Sequence, residues 1–142
     1  MTAYIPNPSH TAHVSRSDLK VLLVDDDSFQ LELISEIFRG LGATDITLAS
    51  SGAQALQSMN STHQRFNLLV MDLHMPGMDG FQFMEAVART DFAGALIIVS
   101  GQSADVLRAA SLVAELRRFT LLGSVPKPVG RTAVSALLAK LV

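Results

Sequence analysis

Leu19-Lys20-Val21-Leu22-Leu23-Val24-Asp25-Asp26-Asp27 decides the fold. Its first six residues are short, rich in apolar and β-branched side chains on both faces, and end abruptly at three aspartates. A half-solvated strand would alternate polar with apolar, so this run reads as a central strand covered on both sides. From Ser28 to Leu41 the period changes: Leu31, Ile34, Ile37, Phe38 and Leu41 fall on one helical face, with Gly40 and Gly42 as stop signals. Strand, acidic turn and helix together form one βα unit.

The unit recurs along the chain. Ile46–Ala49 reads as a strand and Ala53–Met59 as a helix. Phe66–Met71 is followed by a helix from Gly80 to about Thr90, and Leu96–Val99 by one from Ala104 to about Arg118. A weaker strand, Thr120–Val125, precedes a last helix near Arg131–Leu141. Parallel strands need long, right-handed crossovers, so five such units predict an α/β protein: a flavodoxin-like, doubly wound (βα)5 sandwich with strand order 2-1-3-4-5. Residue placement supports that order, since polar groups follow strands 1, 3, 4 and 5 while strand 2 ends in unreactive Ala49-Ser50. In such a sheet strand 2 is an edge, and strands 1 and 3 flank the crevice where ligands bind.

With 142 residues, 49% of them hydrophobic, one domain with one core is expected. Residues 18–142 form that domain. Residues 1–17, with Pro6, Pro8, five Ser/Thr, His10 and His13, lack apolar periodicity and read as a mobile tail. A net charge of −2 with scattered basic residues argues against direct nucleic-acid binding. The absence of cysteine excludes disulfides and thiolate chemistry and suits a reducing cytoplasm. No apolar run is long enough to span a bilayer, and Met1-Thr2-Ala3-Tyr4 has no leader-like pattern, so a soluble cytoplasmic domain is the expectation.

Asp25, Asp26 and Asp72 gathered in one crevice would repel each other, so a cation is required there. A hard divalent ion with oxygen ligands suits carboxylates, and Mg²⁺ tolerates a few of them beside water and phosphate. Lys127 adds a fixed positive charge and Ser100 a hydroxyl donor, which completes the parts needed for phosphoryl transfer to a carboxylate. Taken singly, each group has a plainer reading. Asp27 or Ser28 caps the first helix, Asp79-Gly80 starts the third, and Lys127 is a surface charge. Joint placement at four of five strand ends favours the site.

Val21 to Asp27, Val70-Met71-Asp72-Leu73-His74-Met75-Pro76-Gly77-Met78-Asp79-Gly80, Val99-Ser100-Gly101 and Lys127-Pro128 resemble the four motifs of the receiver domain of two-component response regulators. The resemblance runs from Leu19 to the C-terminus. It implies that Asp72 accepts a phosphoryl group from the phosphohistidine of a histidine kinase or phosphotransfer protein. It further implies that Asp26 ligates Mg²⁺ directly, Asp25 largely through water, and the His74 carbonyl completes the protein ligands. Ser100 and Lys127 would contact the phosphoryl group, and the Lys127–Pro128 bond would be cis. Such a protein is not an enzyme beyond catalysing its own phosphorylation and dephosphorylation. Its output would pass through the helix 4/strand 5/helix 5 face to an effector protein, a fused output domain or a second copy.

The chain also departs from the family pattern. Ser124 stands three residues before Lys127, where many receivers carry Tyr or Phe, so the aromatic readout of switching is missing. Gly101 replaces a common Ala. His74 reads as an exposed loop imidazole, as a side-chain metal ligand or as a modulator of the attacking water, and His63 reads as incidental. Arg108, Arg117 and Arg118 read either as a partner-binding patch or as cations favourable at a helix C-terminus. The longer interval from Ser100 to Lys127 resembles receivers that precede EAL-type cyclic-di-GMP phosphodiesterase domains. Because Val142 follows the last helix directly, a stand-alone receiver and a receiver half are both open. Two rivals are a receiver fold kept only for protein interaction and a haloacid-dehalogenase-type phosphatase. The latter is disfavoured because Phe29 fills the last place of its Asp-x-Asp-x-Thr/Val signature.

Overall fold

The computed structural model describes residues 15–61, 65–75, 77–101 and 103–141. A 3-10 turn at Arg16–Asp18 leads into five βα units. They are β1 (Lys20–Val24) and α1 (Ser28–Gly40), β2 (Asp45–Ala49) and α2 (Gly52–Ser61), β3 (Leu68–Asp72) and α3 (Gly80–Ala88), β4 (Ala95–Ser100) and α4 (Ala104–Leu116), and β5 (Thr120–Pro126) and α5 (Arg131–Leu138). All strand pairs are parallel, in the order β2-β1-β3-β4-β5. This is the doubly wound topology expected from the repeated units.

The unbroken apolar runs are explained by burial on both faces. Val21, Leu23, Val70, Ile97 and Val99 pack against Leu31, Ile34 and Phe38 of α1 and Val134 and Leu138 of α5. Their neighbours Leu22, Val24, Leu69, Met71, Leu96 and Ile98 face the other way, onto Ala55 of α2, Phe83, Met84 and Val87 of α3, and Ala110 and Ala114 of α4. Each such side chain contributes on the order of 1.5–3 kcal/mol on burial, and the strand period of two divides them between the layers. β3 and β4 are buried throughout, whereas the edge strands β2 and β5 are half-exposed. Among the described residues no helix is long and apolar enough to cross a membrane.

Several boundaries differ from the sequence reading. β3 starts at Leu68, not Phe66, and both β3 and β4 extend one residue further, so that Asp72 and Ser100 are the last ladder residues. α5 ends at Leu138, and beyond it Lys140 turns back so that its Nζ donates to the Leu122 carbonyl at 2.9 Å. That carbonyl belongs to a β-bulge: Leu96 pairs with Leu121 and Ile97 with Gly123, leaving Leu122 as the extra residue. Ser15–Ser17, the end of the expected tail, pack onto the domain. The Arg16 guanidinium donates to Leu41 O at 3.3 Å near the C-terminus of α1, and Thr44 Oγ1 donates to Ser17 O at 3.2 Å. The rest of that tail with His10 and His13, and likewise His63, lies outside the described residues.

The loop from β3 to α3 is held at Gly80. Its amide donates to Leu73 O at 2.9 Å, and Asp79 and Gln82 form a reciprocal capping box at the start of α3. A β-carbon on Gly80 would lie 2.7 Å from Leu73 Cα and 2.9 Å from Leu73 O, a backbone collision that no rotamer relieves. Gly80→Ala is therefore expected to lose about 1–3 kcal/mol of stability in urea unfolding. An unchanged midpoint would show that α3 does not press on this loop.

Candidate functional site

Sheet order sets the site. Asp25 follows β1, Asp72 ends β3, Ser100 ends β4 and Lys127 follows β5, so four consecutive strands deliver four polar groups to one edge. Asp25, Asp72 and Ser100 are buried. Carboxylate oxygens of Asp25, Asp26 and Asp72 lie within 4.8 Å of one another, with Asp26 on the exposed side. Lys127 Nζ reaches across to donate to Asp72 Oδ2 at 2.9 Å and sits 3.3 Å from Asp25 Oδ2. Its own amide donates to Ser100 O at 3.3 Å, and the Lys127–Pro128 peptide is cis, as the resemblance implied.

Local turns orient the carboxylates. The Asp27 amide donates to Asp25 Oδ1 at 2.9 Å, and the His74 amide donates to Asp72 Oδ1 at 3.1 Å. Asp27 itself caps α1, its side chain accepting from the Phe29 and Gln30 amides. The third aspartate of the run is thus a structural cap, while the first two belong to the acidic cluster. His74 offers the site its backbone amide and leaves its imidazole exposed.

Among the site carboxylates, one buried oxygen is without a close hydrogen bond. Asp25 Oδ2 is buried and, among the described residues, has no hydrogen-bond partner, since Lys127 directs its hydrogen bond to Asp72. Burial pushes the Asp25 carboxyl above the usual aspartate range, and the charge of Asp72 adds to this against the opposing Asp27 amide and Lys127. For Lys127, burial works to lower the pKa. The hydrogen bond and charge of Asp72, joined by Asp25, outweigh it and hold the ammonium above the ordinary lysine value. A buried carboxylate oxygen whose nearest cation is an ammonium at 3.3 Å shared with Asp72, in a cluster of three carboxylates, fits a hard divalent cation.

Asp25, Asp26, Asp72, Ser100, Lys127 and the His74 backbone come to this edge, and the arginines separate. Arg108 pairs with Asp105 within α4, whereas Arg117 forms a two-pronged bridge to Glu85 of α3 at 2.6 and 2.7 Å. Sequence reasoning did not find Glu85, because its partner is 32 residues away and no local spacing marks it. It also missed the roles of the Asp27 and His74 amides, which every residue possesses and only loop geometry aims.

Fold and edge chemistry together define a class, a doubly wound α/β domain with an acidic cluster and a lysine at the carboxyl ends of its strands. The profile of the response regulator receiver domain matches residues 21–138, and the chain belongs to that family. It is 39% identical over 98 residues to a probable chemotaxis protein CheY of Rhizobium etli, a match spanning 66% of this chain and 74% of that protein. A response regulator receiver protein of Anaeromyxobacter is 35% identical over 111 residues, 78% of this chain but 43% of the relative. Among solved structures, a chain of the CheX–CheY–BeF3–Mg²⁺ complex from Borrelia burgdorferi superposes with a TM-score of 0.76. It is 20% identical, with 93% of this chain and 97% of that one covered. CheY4 of Vibrio cholerae gives a TM-score of 0.71 at 22% identity, covering 87% and 98%. At these identities the structural likeness is one of fold.

The raised Asp25 pKa sets a pH dependence. A carboxyl whose folded pKa exceeds its unfolded value favours the fold at low pH, and that contribution is lost as pH rises through the folded pKa. At neutral pH, without divalent metal, Asp25→Asn is accordingly expected to be more stable than the parent. The advantage should vanish as pH falls below the ordinary aspartate value of about 3.9. Urea unfolding in a chelator at several pH values measures this; a variant less stable than the parent at pH 7 would contradict the electrostatic account.

Proposed function

We propose that this receiver takes a phosphoryl group onto Asp72 from a phosphohistidine of a histidine kinase or phosphotransfer protein. In that step the phosphorus–nitrogen bond breaks, a phosphorus–oxygen bond to an Asp72 carboxylate oxygen forms, and the released imidazole keeps its electron pair and takes up a proton. The observation that carries this reading is the pairing of Asp72 with Lys127 at 2.9 Å beside two further aspartates. Among these carboxylates, Asp72 alone ends a strand next to Ser100 and is followed by the Met75-to-Gly80 loop. Lys127 holds the acceptor in place and balances charge on the incoming group. Ser100, on the neighbouring strand, supplies a hydroxyl for a phosphoryl oxygen.

Asp26, Asp72 and the His74 carbonyl would hold Mg²⁺ directly, and Asp25 largely through water. When bound, the ion neutralises charge on carboxylates and phosphoryl oxygens. The protein turns over no separate substrate beyond making and hydrolysing its own acyl phosphate. The exposed His74 imidazole lies two residues past the acceptor, where it can influence the hydrolytic water. We assign this activity to residues 18–142 and to the cytoplasm, which suits a sequence without cysteine.

Output is assigned to the α4–β5–α5 face. Phosphorylation adds roughly −1.5 to −2 charges, drawing on Ser100 and Lys127 and shifting a pre-existing equilibrium through the loop after β4. Leu112 and Leu116 on α4 are 60% and 79% exposed, and Ser124 on β5 is exposed and has no ring to turn inward. The change therefore passes by displacement of residues 101–105 and of α4. The receiving surface is an effector protein, an output domain on the same polypeptide or a second copy of this chain.

Mass spectrometry after treatment with acetyl phosphate and Mg²⁺ should show one added phosphoryl group, absent in Asp72→Asn and absent in a chelator. Mg²⁺ at about 100 times its dissociation constant should stabilise the parent by about 2.7 kcal/mol, and Asp26→Ala should lose most of that gain. An adduct that persists in Asp72→Asn would refute the acceptor.

Amide NMR with beryllofluoride and Mg²⁺ tests the output route. Shifts are expected from residue 101 through Arg118 and along β5. If only residues around Asp72 respond, the signal leaves by another face.

A further inference from the structure

Away from the acidic edge, the C-terminal ends of α3 and α4 border an open cleft of about 400 Å³, lined by Glu85, Ala88, Arg89, Leu116, Arg117 and Arg118. Helices in βα units run back against the strands, so this cleft opens toward the opposite edge of the sheet from Asp72. Its charge is unbalanced. Arg117 is satisfied by its two-pronged bridge to Glu85. Among the described residues, Arg89 and Arg118 have no ion pair and no side-chain hydrogen bond, although both are exposed. Of the nearby acids, Asp91 pairs with Arg65, whereas Glu115, three residues before Arg118, is exposed and has no ion pair among the described residues, so the two free arginines exceed the free acids by one.

The backbone at Arg118 is a second observation. Helix α4 ends with the Arg118 amide donating to Glu115 O and the Phe119 amide to Ala114 O, which places residue 118 at φ +63°. Among the described non-glycine residues it alone has a positive φ. Glycine suits that helix-terminating position best. Arginine there puts a long cationic side chain on the cleft wall at a conformational cost. Leu116, two residues earlier, is 79% exposed on the rim, and Leu112 one turn before it is 60% exposed.

We infer that this cleft docks a partner protein through a segment bearing spaced carboxylates around an apolar side chain. The carboxylates pair with Arg89 and Arg118, and the apolar side chain covers Leu116. Charge complementarity selects this ligand over a polyphosphate. Glu85 in the wall and the negative C-terminal ends of two helices disfavour any anion there, a concentrated multiple charge more strongly than single carboxylates that each meet their own guanidinium. Exposed guanidiniums are screened over about 8 Å at physiological ionic strength, which makes the contact salt-sensitive.

The test is fluorescence anisotropy of the full chain with a labelled peptide of alternating glutamate and leucine, alongside its lysine–leucine counterpart and inorganic tripolyphosphate. Saturable, salt-sensitive binding of the acidic peptide alone is expected, with Arg89→Glu and Arg118→Gly each weakening it about tenfold or more. Arg118→Gly separates docking from folding, because glycine relieves the positive φ. It should raise the melting temperature while reducing affinity, with phosphorylation of Asp72 intact. No binding at millimolar peptide, affinity in either variant equal to that of the parent, or stronger binding of tripolyphosphate would overturn the proposal.

Discussion

Two carboxylates side by side and out of water, with a single lysine between them, are the constraint on which the rest of this structure depends. Asp25 and Asp72 are both buried, and Lys127 satisfies one of them by a hydrogen bond while standing at ion-pair distance from the other. Such an arrangement is under-neutralised, and burial makes the imbalance costly. It persists because the strands carrying it are fixed by apolar packing on both faces. That packing provides the free energy against which a few kcal/mol of electrostatic cost can be held.

The same arrangement leaves the charge at this edge only partly neutralised. A neutral, fully satisfied cluster would gain little from a cation or an added phosphoryl group. Here Asp25 shares one lysine with Asp72, and burial raises its pKa above the ordinary aspartate range. Because Lys127 and Ser100 sit on β5 and β4, any change in the charge at Asp72 bears directly on the two strands that support α4 and α5.

The opposite edge is organised differently. There the bridge from Arg117 to Glu85 joins α3 to α4, and the bulge at Leu122, with Gly123 against Leu137 and Lys140 on the bulged carbonyl, joins β5 to α5. These polar links supplement the apolar packing of Ala110, Ala114, Val134 and Leu138 that holds α4 and α5 on the sheet.

The sequence by itself determined the five βα units, the strand order and the residues of the acidic edge, because each rests on local pattern. Doubly buried strands read as unbroken apolar runs, helices as a 3.6-residue period, and ligand groups as polar residues at strand ends. Cap chemistry was equally local, with Asp27 and Asp79 standing where helices begin. Only the tertiary structure decided which of the paired carboxylates pays the electrostatic penalty, since burial at Asp25 and exposure at Asp26 follow from how α1 leaves the sheet. It also decided that Arg117 is bound to Glu85 while Arg118 is free to line a cleft, and that Leu122 is a bulge. These depend on distances between residues far apart in the chain, which composition and spacing do not encode.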